Sequence, residues 1–140
     1  MMMRVYRLAR WLHLRHVPVL PWMLRALNRM AFGIVLPPSA QLGRQVLLSY
    51  QGLGIVIHRR AVIGDRCVIR QGVTIGNKGR SDPYGAPVIG DDVDIGANAV
   101  IVGRITVGNG ARIAAGAMVA KDVPPGALAI GNPASIVERC

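Results

Sequence analysis

From Ile57 to Val123 the chain repeats every six residues. An aliphatic residue recurs at Ile57, Ile63, Ile69 and Ile75, then at Ile89, Ile95, Ile101, Val107, Ile113 and Val119. The slot after it is mostly small: Gly64, Gly76, Gly90, Gly96, Gly108, Ala114 and Ala120. The slot two before it holds Ala61, Cys67, Val73, Val93, Ala99, Ile105, Ala111 and Ala117. A helical period of about 3.6 cannot hold one residue class in register at sixes for so long. Short strands, each ended by a corner and stacked turn on turn, can.

Each slot has a steric reason. The Ile or Val fills the axis of a narrow prism, and the residue two earlier points inward near a corner. The Gly or Ala follows where the chain bends and a side chain would crowd the next coil. Three sixes make one triangular coil, and coils stack about 4.8 Å apart. The expected fold is mainly β: a left-handed parallel β-helix of hexapeptide repeats over residues 41–140, behind a basic helical segment over residues 1–40. Two departures stand out. His58 occupies a slot otherwise mainly Gly or Ala, and Ile75 and Ile89 lie fourteen apart rather than twelve, with Ser81 in the intervening slot. Asn77 to Pro87 therefore reads as a loop thrown out of the prism.

A β-helix this short, within a chain of 140 residues, has a thin core and open ends, so association is expected. The net charge of +10 is uneven: Met1 to Gly64 holds nine arginines, no lysine and no acid. Residues 4–14 carry a helical stripe of Val5, Leu8, Trp11 and Leu12; a second helix is expected over Trp22–Met30, and Pro37-Pro38 ends it. Two readings of this segment stay open. It caps the β-helix or a neighbouring subunit, or residues 1–30 lie on an anionic membrane through Trp11 and Trp22. Arginines recur through its apolar part, which argues against a secretory signal, and no uncharged run is long enough to span a bilayer. No nucleic-acid-reading motif is present, so nucleic acid is not an expected partner. Cys67 reads as a compact core residue and Cys140, the last residue, as incidental; neither suggests a disulfide framework, and a cytoplasmic location suits both.

The first sixes open at Leu42 and Leu48, and Tyr50–Gly54 then leaves register. That stretch is either a place where backbone amides face a ligand or an ordinary bulge. Val123-Pro124-Pro125-Gly126 ends the array, because Pro cannot donate to the ladder. Ala127 to Cys140 is expected to turn back as a short extended segment.

Three motifs and the closing Gly131-Asn132-Pro133-Ala134 carry a resemblance. The motifs are Gln71-Gly72-Val73-Thr74-Ile75-Gly76-Asn77, Val88-Ile89-Gly90-Asp91-Asp92-Val93 and Lys121-Asp122-Val123-Pro124-Pro125-Gly126. Together they resemble the serine O-acetyltransferase branch of the hexapeptide acyltransferases. The run from Ile69 to Gly79 and the basic N-terminal segment are most similar to acetyltransferases of exopolysaccharide synthesis, the colanic-acid type. The resemblance implies a homotrimer with acetyl-CoA in the grooves between subunits. It implies direct transfer to an acceptor hydroxyl, with a histidine base and an oxyanion held by backbone amides. The implied acceptor is a sugar or polysaccharide precursor, small or lipid-linked, met in the cytoplasm or at the inner membrane face.

His58, the one histidine of the prism, is the expected general base. Tyr50 is expected to position the acceptor, with Asp82 and Tyr84 of the loop touching it. Asp65 is weighed as a residue that orients His58 or as an ordinary surface acid. Gly76, Asn77, Ala97, Arg112, Ala115 and Lys121 match the family's acetyl-CoA contacts. Three family positions differ: the catalytic His falls within Ser49-Tyr50-Gln51, the aspartate that orients it at Val35, and a loop His that holds serine at Ala86. These argue against L-serine. Serine O-acetyltransferase and a non-catalytic assembly protein stay as alternatives. A zinc hydratase needs three imidazoles and the prism has one, so no metal is expected.

Overall fold

A computed structural model of the chain describes residues 2–138. Two helices, α1 (Met2–Leu14) and α2 (Leu20–Phe32), pack against each other before the coils begin. They start two residues earlier than the expected helices, and α2 also ends two residues later. Pro21 does not shorten α2, because in the first turn its missing N–H has no helical partner to lose. Gly33 ends α2 at φ 66°, its N–H donating to the Arg29 carbonyl at 3.0 Å.

Met2, Tyr6, Ala9 and Leu12 form the buried stripe of α1. Polar tips of the same helix bond the start of the prism. Tyr6 Oη donates to the Ala40 carbonyl, Arg7 to the Gly43 carbonyl at 2.8 Å, and Arg10 to the Pro38 and Ala40 carbonyls at 3.2 and 3.0 Å. The arginines of this helix thus supply donors to a turn whose carbonyls have no strand partner.

The coils follow as three parallel faces. The first stacks β1 (Gln41–Leu42), β4 (Val62–Ile63), β7 (Val88–Ile89) and β10 (Thr106–Val107). The second stacks β2 (Leu47–Leu48), β5 (Val68–Ile69), β8 (Asp94–Ile95) and β11 (Arg112–Ile113). The third stacks β3 (Val56–Ile57), β6 (Thr74–Gly76), β9 (Val100–Val102) and β12 (Met118–Val119). Core slots lie over one another: Ile63 on Ile89, Ile69 on Ile95, Ile75 on Ile101. All ten aliphatic slots and all eight compact slots are buried.

The small slot is enforced by the stacking. A Cβ on Gly64 would stand 2.6 Å from the Gly90 carbonyl carbon, and one on Gly96 would stand 2.4 Å from the Ala115 nitrogen. Cys67 is fully buried, its thiol donating to the Gly90 carbonyl at 3.0 Å, and burial pushes that thiol above its ordinary range.

The loop differs from the expected spacing in one respect. β6 and β7 lie on successive faces, so no strand is skipped; the whole excess sits in one enlarged corner. At the far end Val123 bridges Val107, and β13 (Leu128–Ile130) adds to β11. β14 (Ser135–Val137) then folds back antiparallel on β13, as the expected return segment. Cys140 lies outside the described residues.

Candidate active site

The corner from second to third face carries Tyr50, Gly72, Ala97–Asn98 and Ala115–Gly116. The corner from third to first face carries His58–Arg60, the Asn77–Pro87 loop, Arg104 and Lys121.

Along the second face and its corner runs a groove of about 510 Å³. Gly96, Ala97, Ala114 and Ala115 line it, so the steric rule that builds the corner also leaves its backbone bare. Among the described residues, the N–H groups of Ala97 and Ala115 donate no hydrogen bond. Arg70 and Arg112 line the same groove and share one carboxylate: Arg70 Nη1 meets Asp94 Oδ1, and Arg112 Nη2 lies 3.6 Å from Asp94 Oδ2. Two guanidiniums on one carboxylate leave the wall with an excess of positive charge.

The structure thus brings Ala97, Ala115 and Arg112 together. Gly76, Asn77 and Lys121 lie at the other corner, and Lys121 borders a separate hollow of about 410 Å³ beside Met118 and Pro133. Asn77 is committed to the loop: its Nδ2 donates to the Pro83 carbonyl at 2.8 Å and its Oδ1 accepts the Gly79 N–H at 3.0 Å. Sequence reasoning missed Arg70 and Asp94. Their signal was that Asp94 stands one coil from Arg112 in the repeat.

Tyr50 stands on a distorted corner and is 76% exposed. Tyr50 and Gln51 both adopt left-handed backbone, at φ 50° and 56°, followed by Gly52 at 79° and Gly54 at 72°. Each non-glycine in that region costs about 1–2 kcal/mol. The bulge is held by neighbours: Gly54 N–H donates to Gly33, Ile55 N–H to Gly52 and Gly72 N–H to Leu53. The same left-handed backbone recurs at the corners that hold Gln45, Arg66, Asp92 and Asn98, so it belongs to the coil geometry and does not by itself mark this corner.

His58 is half-buried at the other corner. A side chain fits its small slot because the next coil leaves the prism at Asn77, and Gly76 faces open space. Its N–H donates to the Ile75 carbonyl at 2.7 Å, and its Nδ1 accepts the Arg60 N–H at 3.1 Å. In the neutral ring that contact assigns the proton to Nε2. Asp65 lies on the corner between first and second faces, where its Oδ1 accepts the Arg44 N–H at 2.8 Å; it does not orient His58. Asp82 is bound bidentately by Arg104, at 2.7 and 3.1 Å, and also accepts the Gly85 N–H. The Arg104 guanidinium holds the Asp82 carboxyl below its ordinary range. Its carboxylate is therefore occupied in shaping the loop. Tyr84 lies under Arg59 and Arg60, whose guanidinium carbons are 5.9 and 5.1 Å from its ring centre. Within one protomer Tyr50 and His58 occupy different corners.

Comparison with known proteins matches the same architecture. Residues 86–121 match the bacterial transferase hexapeptide (six repeats) family. The serine acetyltransferase of Synechococcus elongatus is 37% identical over 134 residues, covering 96% of this chain and 54% of that protein. That of Helicobacter pylori is also 37% identical, covering 96% of this chain and 78% of that protein. Soybean serine acetyltransferase superposes with a TM-score of 0.92 at 36% identity, covering 97% of this chain and 56% of that one. A serine acetyltransferase solved in complex with CoA gives 0.89 at 34% identity, covering 97% and 55%. This chain spans about half the length of several of these relatives. These relatives are serine acetyltransferases, which supports that branch of the resemblance and not the finer one to sugar enzymes. With a relative 37% identical that it covers to 78%, and an architecture that superposes at a TM-score of 0.92, the chain belongs to the hexapeptide-repeat serine acetyltransferase family.

Proposed function

We propose that this chain is an acetyl-CoA-dependent O-acetyltransferase. The observation that carries the reading is the bare-backbone groove with excess positive charge, on a chain of this family. Its residues fit the co-substrate. Free N–H groups at Ala97 and Ala115 can pair with an amide-bearing arm, and Arg70 and Arg112 can meet phosphates. Acetyl-CoA would supply an activated acetyl thioester. In the proposed step His58 would take the proton of the acceptor hydroxyl as its oxygen attacks the thioester carbon, and would return it to the departing CoA sulfur as the C–S bond breaks, leaving acetylated acceptor and free thiol. To do so its Nδ1 must release Arg60 N–H, or the ring must turn. An exposed neutral hydrogen bond contributes about 0.5–1.5 kcal/mol. General-base catalysis of about a hundredfold or more is worth about 3 kcal/mol or more. The contact is thus a small obstacle to the base role.

The site is proposed to form between copies. One copy gives the Tyr50 corner and the groove; its neighbour gives His58, the loop with Tyr84, and Lys121. This is the homotrimer expected of the family.

L-serine is the acceptor that the relatives' names favour, over the sugar hydroxyl expected from sequence. A second reading, another hydroxyl compound, is favoured by Ser49-Tyr50-Gln51, Val35 and Ala86 at positions where the family has His, Asp and His. The test is release of free thiol from acetyl-CoA with L-serine and with a panel of sugars. Turnover with L-serine supports the first reading, and turnover with a sugar alone supports the second. Absence of both turnover and acetyl-CoA binding rejects the enzyme.

A further inference from the structure

A crevice between the helical pair and the first coil has no part in the groove described above. It measures about 210 Å³ and is bordered by His13 of α1, Trp22 and Arg25 of α2, and Ser39 and Arg59 beyond them. Four prolines wall it. Arg10 pins one wall through the Pro38 and Ala40 carbonyls, and Ser39 Oγ seats Arg59 by donating to its carbonyl at 3.0 Å. A smaller hollow of about 130 Å³ continues along α2, shares Trp22 and Arg25, and adds Arg29. Together they just exceed the lower bound of about 300 Å³ usual for a small-molecule site.

The charge here is one-sided. Arg25, Arg29 and Arg59 face these hollows beside His13, and no carboxylate lines either of them. Like charges so gathered repel, and an anion relieves the repulsion. Guanidinium forks match phosphate oxygens bidentately, and the Trp22 ring offers a face to the body of a ligand. Arg59 also leans over Tyr84, so the crevice abuts the loop at the corner that carries His58.

We propose that this crevice binds a phosphate-bearing ligand, and that the ligand is the acceptor: a hydroxyl compound carrying a phosphate or diphosphate, free or lipid-linked. The role as acceptor rests on the second transfer reading above, a hydroxyl compound other than L-serine; the binding does not.

The test uses the full chain without acetyl-CoA. Inorganic pyrophosphate is titrated in a Trp11→Phe background, so that Trp22 fluorescence reports. A saturable change is expected, weakened at least tenfold by Arg25→Gln with Arg59→Gln, while circular dichroism stays unchanged. The single Arg25→Gln variant repeats the test should the double variant misfold. No saturable change, or equal affinity in the variants, overturns the proposal. Vesicles of phosphatidylcholine, with and without phosphatidylglycerol, separate the sources. Cosedimentation with the anionic vesicles that pyrophosphate competes away identifies a lipid headgroup. Pyrophosphate binding without cosedimentation identifies a free phosphorylated compound. Cosedimentation that survives both substitutions counts against the crevice. Pyrophosphate binding with no thiol release would leave this site standing and sink the transfer reading; transfer without pyrophosphate binding would do the reverse.

Discussion

At the scale of single residues, the steric slots were the most legible part of the chain. Each is set by a neighbour one coil away, and the repeat itself supplies that distance. Gly96 illustrates it: a side chain there meets the Ala115 backbone at 2.4 Å. Gly96→Val should therefore displace the coil, and a loss of about 1–3 kcal/mol is expected in urea unfolding; an unchanged midpoint would contradict the packing described. Site residues were less legible, because their partners come from irregular backbone. His58 was visible as a misfit in its slot, but its bond to Arg60 N–H depends on a corner geometry the repeat does not encode. Asp82 was expected to touch the acceptor and is held by Arg104, which only the loop's path brings near. As the base, His58→Ala should lower kcat about a hundredfold or more. His58→Asn, which can still accept Arg60 N–H, should lower it equally. Retained activity in the Asn variant would make the residue a corner cap alone.

Among elements, the loop and the helical pair carry the departures from regularity. The loop is strapped to the prism by Asp82 and Arg104 at an exposed site. The Asp82 carboxyl titrates below its ordinary range, so the strap is complete above that range, near pH 4, and is lost as pH falls through the depressed value. Protease cleavage within residues 77–87 should stay constant from about pH 8 to pH 5, since the strap remains ionised across that window. Protection of the loop amides relative to their intrinsic exchange rates should fall below about pH 4. Arg104→Gln should open the loop at neutral pH, and equal cleavage of variant and parent would rule the strap out. The helices were legible as apolar runs, but their buried faces and their ends were not: of the expected stripe Leu8 and Trp11 stay exposed, and Pro21 sits in the first turn, where a helix accepts it. The enlarged corner was legible as a break in spacing, whereas its place between adjacent faces needed the strand pairing.

For the whole molecule, the prism was readable because its period is long and strict. The assembly was not, because no single protomer contains both halves of the proposed site. A lone coil stack with open ends favours association, and sedimentation equilibrium should give three times the 15.0 kDa chain mass. The most direct test of the shared site mixes two defective copies. Tyr50→Ala and His58→Ala chains, each nearly inactive alone in acetyl-CoA thiol release, are co-expressed with different tags and isolated as mixed assemblies. If each site takes Tyr50 from one copy and His58 from its neighbour, every mixed trimer holds one intact site, so about a third of its sites work and activity returns in that proportion. Mixed assemblies no more active than the two variants alone would contradict a site built between copies.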